Sequence, residues 1–107
     1  MHYALTACDR QGRLADRSAI NALGWEPHQR VAIEVGAQRI LVQPDDSARQ
    51  ALTREGFLRL PAAVRHRYGM RAGDRLLLAA VPDQNALLIC FAAILDDLLA
   101  QAFGSLV

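Results

Sequence analysis

The residue type in this chain whose number and spacing could do chemistry is arginine. All 12 basic side chains are arginine, and there is no lysine. A guanidinium is permanently charged, planar and forked, so it can grip phosphate with two hydrogen bonds or read the paired acceptors of a guanine. The formal net charge of +1 hides where these groups stand. Residues 1–48 carry five arginines against six acids, a balance of −1. Residues 49–75 carry Arg49, Arg54, Arg59, Arg65, Arg67, Arg71 and Arg75 against Glu55 and Asp74, a balance of +5. Residues 76–107 carry only Asp83, Asp96 and Asp97, a balance of −3. Local charge, not the total, governs attraction to a polyanion. Nucleic acid is the partner class this pattern points to.

Other chemistries find little support. His2, His28 and His66 sit in unrelated contexts, and the chain has no G-x-S-x-G nucleophile motif and no Gly-rich phosphate loop. Catalysis and a cofactor are therefore not expected. There is no CxxC, no His-x-x-x-His and no carboxylate cluster at ligand spacing, so neither is a metal. Cys8 and Cys90 stand 82 positions apart, each in an apolar segment, and read as buried free thiols rather than a disulfide. No apolar run reaches the ~20 residues needed to span a bilayer. Met1–Cys8 lacks the basic start and long apolar core of a signal peptide. The expectation is a cytoplasmic protein with no membrane attachment.

The elements that must position the arginines follow from an internal repeat. Asp9-Arg10-Gln11-Gly12-Arg13-Leu14 lies over Thr53-Arg54-Glu55-Gly56-Phe57-Leu58 at an offset of 44. Leu23–Val31 lies over Tyr68–Leu76 at an offset of 45, which keeps Gly24 with Gly69 and Arg30 with Arg75. Each copy then ends in two apolar runs split by a turn: Val31–Val35 and Arg39–Gln43, then Leu76–Val81 and Ala86–Phe91. This order of elements divides the chain into a first copy (1–43), a linker (44–48), a second copy (49–91) and a tail (92–107).

Local signals give each copy its structure. In the second, Ala51–Thr53 and Phe57–Leu60 read as short strands around a Glu55-Gly56 turn. Pro61 suits the first turn of a short helix and Gly69 the position past its end. In the first, Asp16 can cap a helix over Arg17–Leu23 that Gly24 closes. Strand alternation sets Leu58 and Leu60 on one face and Phe57 and Arg59 on the other. In the tail, Phe91, Ile94, Leu95, Leu98, Leu99 and Phe103 recur at helical spacing, so an apolar face is expected to meet the core, a second copy or another protein.

The run from Thr53 to Leu76 resembles the AbrB/MazE/SpoVT family of DNA-binding proteins. It carries a Gly turn (Gly56), a strand ending in Leu60-Pro61, a short helix bearing Arg65, then Tyr68-Gly69 and Gly73-Asp74. The first copy is similar more faintly, keeping Gly12-Arg13-Leu14 and Leu23-Gly24, but with Asp16-Arg17 where Leu-Pro is expected and His28-Gln29 in place of Gly-Asp. The resemblance implies a mostly β, α+β fold: two units interlace swapped hairpins into a small barrel-like body, to which this chain adds a C-terminal amphipathic helix. It implies a bacterial regulator that binds double-stranded DNA, as a homodimer or as a pseudo-dimer within one chain. It implies contacts through Arg13, directly after the turn glycine, and through Arg65 and His66 on the helix, to which the residues themselves add Arg59 by strand alternation, Arg67 on the helix flank, and Arg10 and Arg54 at equivalent turns. Neither copy holds the full basic set, so the surface would be asymmetric. Two other readings stay open: an antitoxin that also binds a toxin through its tail, and a degenerate member that only binds protein.

Overall fold

The computed structural model describes residues 1–104, apart from the side chains of Leu95 and Leu98. In chain order its elements are β1 (His2–Ala7), α1 (Ser18–Leu23), β2 (Arg30–Val35), β3 (Arg39–Pro44), β4 (Gln50–Ala51), α2 (Ala62–Tyr68), β5 (Arg75–Val81), β6 (Ala86–Phe91) and α3 (Ala92–Gly104). The strands form one open antiparallel sheet in the order β1-β5-β6-β3-β2-β4. The class is α+β, mostly strand with a few short helices.

Local chemistry sets most of the boundaries. The Asp16 carboxylate accepts the Ala19 N–H at 3.1 Å and the Ser18 hydroxyl at 2.7 Å, capping α1 from just outside it. Pro61 stands immediately before α2 rather than within its first turn, at φ −59° and ψ 154°. Both helices stop at a left-handed glycine, Gly24 (φ 71°) and Gly69 (φ 64°), whose missing Cβ makes that turn inexpensive. Between β5 and β6, Pro82–Gln84 makes one 3₁₀ turn closed by Asn85 at φ 49°.

Sheet order places each outer strand beside the hairpin that follows the other in sequence. β1 pairs with β5 (Thr6 opposite Leu76, Ala7 opposite Arg75), and β4 pairs with β2 (Gln50 opposite Val31, Ala51 opposite Arg30). The hairpins β2–β3 and β5–β6 join where β3 meets β6, with Leu41 opposite Leu88 and Ile40 opposite Ile89. Over one face lies a core in which Leu14, Leu58, Leu60 and Ile20 meet Ile40, Val42, Leu76, Leu78, Leu87 and Ile89. Two hydrogen bonds tie helix ends to the opposite hairpin tips. Trp25 Nε1 donates to Asn85 Oδ1 at 2.7 Å, and the Tyr68 hydroxyl donates to the Gly36 carbonyl.

Several expectations need correction. Strand structure around the second turn is limited to Gln50–Ala51, and residues 57–60 contribute only the isolated bridge between Arg13 and Arg59. That bridge is antiparallel and is flanked by two backbone hydrogen bonds, too few to make a ladder. Pro44, expected in the linker, closes β3 opposite Val31. Cys8 is a buried free thiol as expected, but Cys90 is only half-buried. Phe91, expected both to end the last strand and to begin the tail's apolar face, ends β6 as the first reading has it and packs on Tyr68 at 4.4 Å between centroids with the rings tilted by 43°.

Candidate nucleic-acid interface

Two tight loops carry the site. In the first, one Asp9 carboxylate oxygen accepts the N–H groups of Gln11 and Arg13, each at 2.9 Å, and Gly12 turns the chain at φ 86°. In the second, the Thr53 hydroxyl accepts the Phe57 N–H at 3.0 Å, and Gly56 turns the chain, also at φ 86°. Beyond the glycines the segments cross antiparallel. Leu14 N–H donates to the Leu58 carbonyl at 2.9 Å, and Leu60 N–H donates to the Gly12 carbonyl at 2.8 Å. The crossing is tight enough that a Cβ on Gly12 would lie 2.2 Å from the Leu60 oxygen.

Leu58 and Leu60 turn inward at this crossing, which sends Arg59 outward. Backbone carbonyls then hold the guanidinium groups in place. Arg59 Nε donates to the Gln11 carbonyl at 2.9 Å. Arg65, reaching over from α2, donates through Nε to Leu60 at 3.1 Å and through Nη1 to Arg10 at 2.9 Å. Arg17 Nη1 donates to the Glu55 carbonyl at 2.9 Å. The Phe57 ring lies between two cations, with Arg13 at 4.7 Å and Arg17 at 4.9 Å from its centroid. Each contact contributes about 0.5–1 kcal/mol at an exposed site.

Of the residues expected to bind DNA, the fold gathers Arg10, Arg13, Arg59 and Arg65 around the crossing. Arg54 is exposed on the second loop, and His66 and Arg67 are exposed on α2. Arg17 belongs to the cluster but escaped the sequence reading. The available signal was the charged pair Asp16-Arg17, which the offset of 44 sets over the apolar pair Leu60-Pro61.

Among the described residues the ion pair at the site is Arg13 Nε to Asp9 Oδ2 at 3.3 Å, with the Arg13 side chain 51% exposed. Arg17, Arg59 and Arg65 donate to neutral carbonyls, and among the described residues none of them forms a salt bridge. Backbone N–H donation from Arg13 and then Gln11, with the Arg13 and Arg59 cations, holds the Asp9 carboxyl below its ordinary value. Beneath the first loop, burial pushes the Cys8 thiol up, and the Asp74 charge adds to it, so little thiolate forms. The described residues contain no group of three metal-ligating side chains.

Away from the loops, Phe91 and Ile94 are half-buried, whereas Leu99 (47%) and Phe103 (60%) are exposed on α3. The Leu95 and Leu98 side chains, expected on the same face, lie outside the described residues, as do residues 105–107. Among the described residues no helix is long and apolar enough to cross a membrane. Compared with known proteins, the chain matches no family model, no curated protein and no solved structure. The likeness to AbrB-type proteins therefore rests on the residues of this chain alone.

Proposed function

We propose that the protein is a cytoplasmic double-stranded-DNA-binding regulator, built from two swapped-hairpin units in one chain that form a small barrel-like pseudo-dimer. The observation that carries this reading is the gathering of Arg10, Arg13, Arg17, Arg59 and Arg65 round two crossing loops, with one carboxylate, Asp9, paired among them. A guanidinium already fixed by a carbonyl and an aromatic face loses less freedom when it meets phosphate. Its remaining N–H groups stay available for phosphate oxygens, and one or two forks could reach base edges.

Register supports the duplication. Under the offsets of 44 and 45, the pairs Thr6–Leu76 and Ala7–Arg75 become Gln50–Val31 and Ala51–Arg30. Left-handed residues recur in the same way: Gly12 with Gly56, Gly24 with Gly69, His28 with Gly73. Each copy lends its first strand to the hairpin of the other, which is the exchange a swapped-hairpin fold requires.

The direct test is fluorescence anisotropy of duplex DNA over a salt series, comparing the wild type with Arg59→Ala/Arg65→Ala. Each lost phosphate contact lowers the slope of log K against log salt by about 0.9, so the double variant should lose about 2. Because both side chains also brace the loops, Arg67→Ala serves as a second variant that breaks no internal hydrogen bond among the described residues. An unchanged slope in both would refute the proposal. The exposed apolar residues of α3 keep a role in homodimer formation or in binding a protein such as a toxin, and co-purification from the host separates these.

A further inference from the structure

The crossing loops divide the cluster into two halves that would be equivalent under the repeat but differ in charge. One half joins loop 9–13 to residues 59–68 and carries Arg10, Arg13, Arg59, Arg65 and Arg67 against Asp9, a balance of +4. Its counterpart joins loop 53–57 to residues 15–23 and carries Arg17 and Arg54 against Asp16 and Glu55, a balance of 0. The position matching Arg59 is Ala15 and that matching Arg13 is Phe57, while Arg65 falls at Ile20 or Asn21, because α2 is one residue longer than α1; of these two only Asn21 is exposed.

The two loops are also held differently. Arg59 and Arg65 clamp the first through the Gln11 and Arg10 carbonyls, and Gly12 has no room for a Cβ. On the second, Arg17 alone donates a hydrogen bond to a loop carbonyl (Glu55), Arg13 and Arg17 both lie over the Phe57 ring, and a Cβ on Gly56 would meet only Pro27 Cγ, at 3.8 Å. One half is a braced cationic cradle. The other is near neutral, and its loop has one arginine-to-carbonyl bond where the first loop has two.

We infer that a single chain binds a non-palindromic duplex in one fixed polarity, with the half built from loop 9–13 and α2 as its anchor. This rests on the DNA-binding reading. Two matched halves would place equal charge on both sides of a dyad and select an inverted repeat. Here the phosphates beside the charged half are neutralised while those beside the other are not, so turning the duplex end for end changes the energy wherever its sequence differs between ends.

The experiment is selection of bound sequences from a random duplex pool by the full chain, with hydroxyl-radical footprinting of complexes at one chain per duplex. A second protein, Ala15→Arg/Asn21→Arg, restores the missing cations at the matching positions. The wild type should select a site lacking inverted symmetry and protect one end more strongly. The symmetrised protein should select an inverted repeat of that stronger end and prefer it over the wild-type site by about ten-fold, equivalent to about 1.4 kcal/mol. An inverted repeat selected by the wild type, or an unchanged site for the symmetrised protein, overturns the fixed polarity while sparing DNA binding. Failure of the wild type to enrich any duplex overturns the DNA-binding reading itself.

Discussion

At the scale of single residues, the account depends on how the guanidinium groups are held. Phe57 bridges Arg13 and Arg17, so Phe57→Ala should free both and remove two contacts of about 0.5–1 kcal/mol each. A fall in melting temperature with weaker duplex binding would match this, while unchanged affinity would show that the bridge does not serve the interface. Asp9 gives a pH prediction of defined sign. Its carboxyl titrates lower in the folded chain than in the unfolded one, chiefly because backbone N–H groups of Arg13 and Gln11 bond the charged form. Stability from this source is thus complete above about pH 4, the ordinary aspartate value, and is lost as pH falls through the lower folded value. Asp9→Asn should flatten the acid limb of a melting-temperature profile, and a variant with the wild-type profile would contradict the assignment.

At the scale of elements, the two glycine turns share a φ of 86° but not a neighbourhood. Gly12→Ala would drive a Cβ to 2.2 Å from the Leu60 carbonyl, so the crossing must open, and a loss of several kcal/mol follows from strain and broken bonds together. Gly56→Ala meets Pro27 Cγ at 3.8 Å and should cost about 1–2 kcal/mol from left-handed strain alone. Chemical denaturation of the two variants checks the difference. Much of this level was legible in the sequence. Gly24 and Gly69 marked helix ends, and the apolar runs marked both hairpins, because these signals are local. β1 and the short β4 were less legible, since an outer strand is defined by a partner distant in sequence. Arg59 and Arg65 could be named in advance from alternation and helix position, Arg10 from its place at a repeated turn, and Arg13 from the family resemblance. Arg17 could not, because only the chain crossing brings it to Phe57.

At the scale of the whole molecule, β1 lies outside the β5–β6 hairpin and β4 outside the β2–β3 hairpin, so the first strand of the chain completes the sheet beside its last hairpin. The chain should therefore unfold in one transition, and Trp25, bonded to Asn85 across the two halves, supplies a probe. Coincident denaturation curves by Trp fluorescence and far-ultraviolet circular dichroism are expected, and separated curves would mean independent halves. Charge differs between elements too: Arg10, Arg13, Arg17 and Arg59 are exposed at the loops, whereas Asp96 and Asp97 are exposed on α3, and the proposed DNA contact uses the first group. Nuclear magnetic resonance of the chain titrated with a short duplex tests that arrangement most directly, read at the amides of residues 9–13 and 53–59 and at the arginine Nε–H groups. Shifts concentrated on those loops and on Arg13, Arg17, Arg59 and Arg65 are the expected result. Shifts confined to β1 or α3, or none at low salt, would contradict the account.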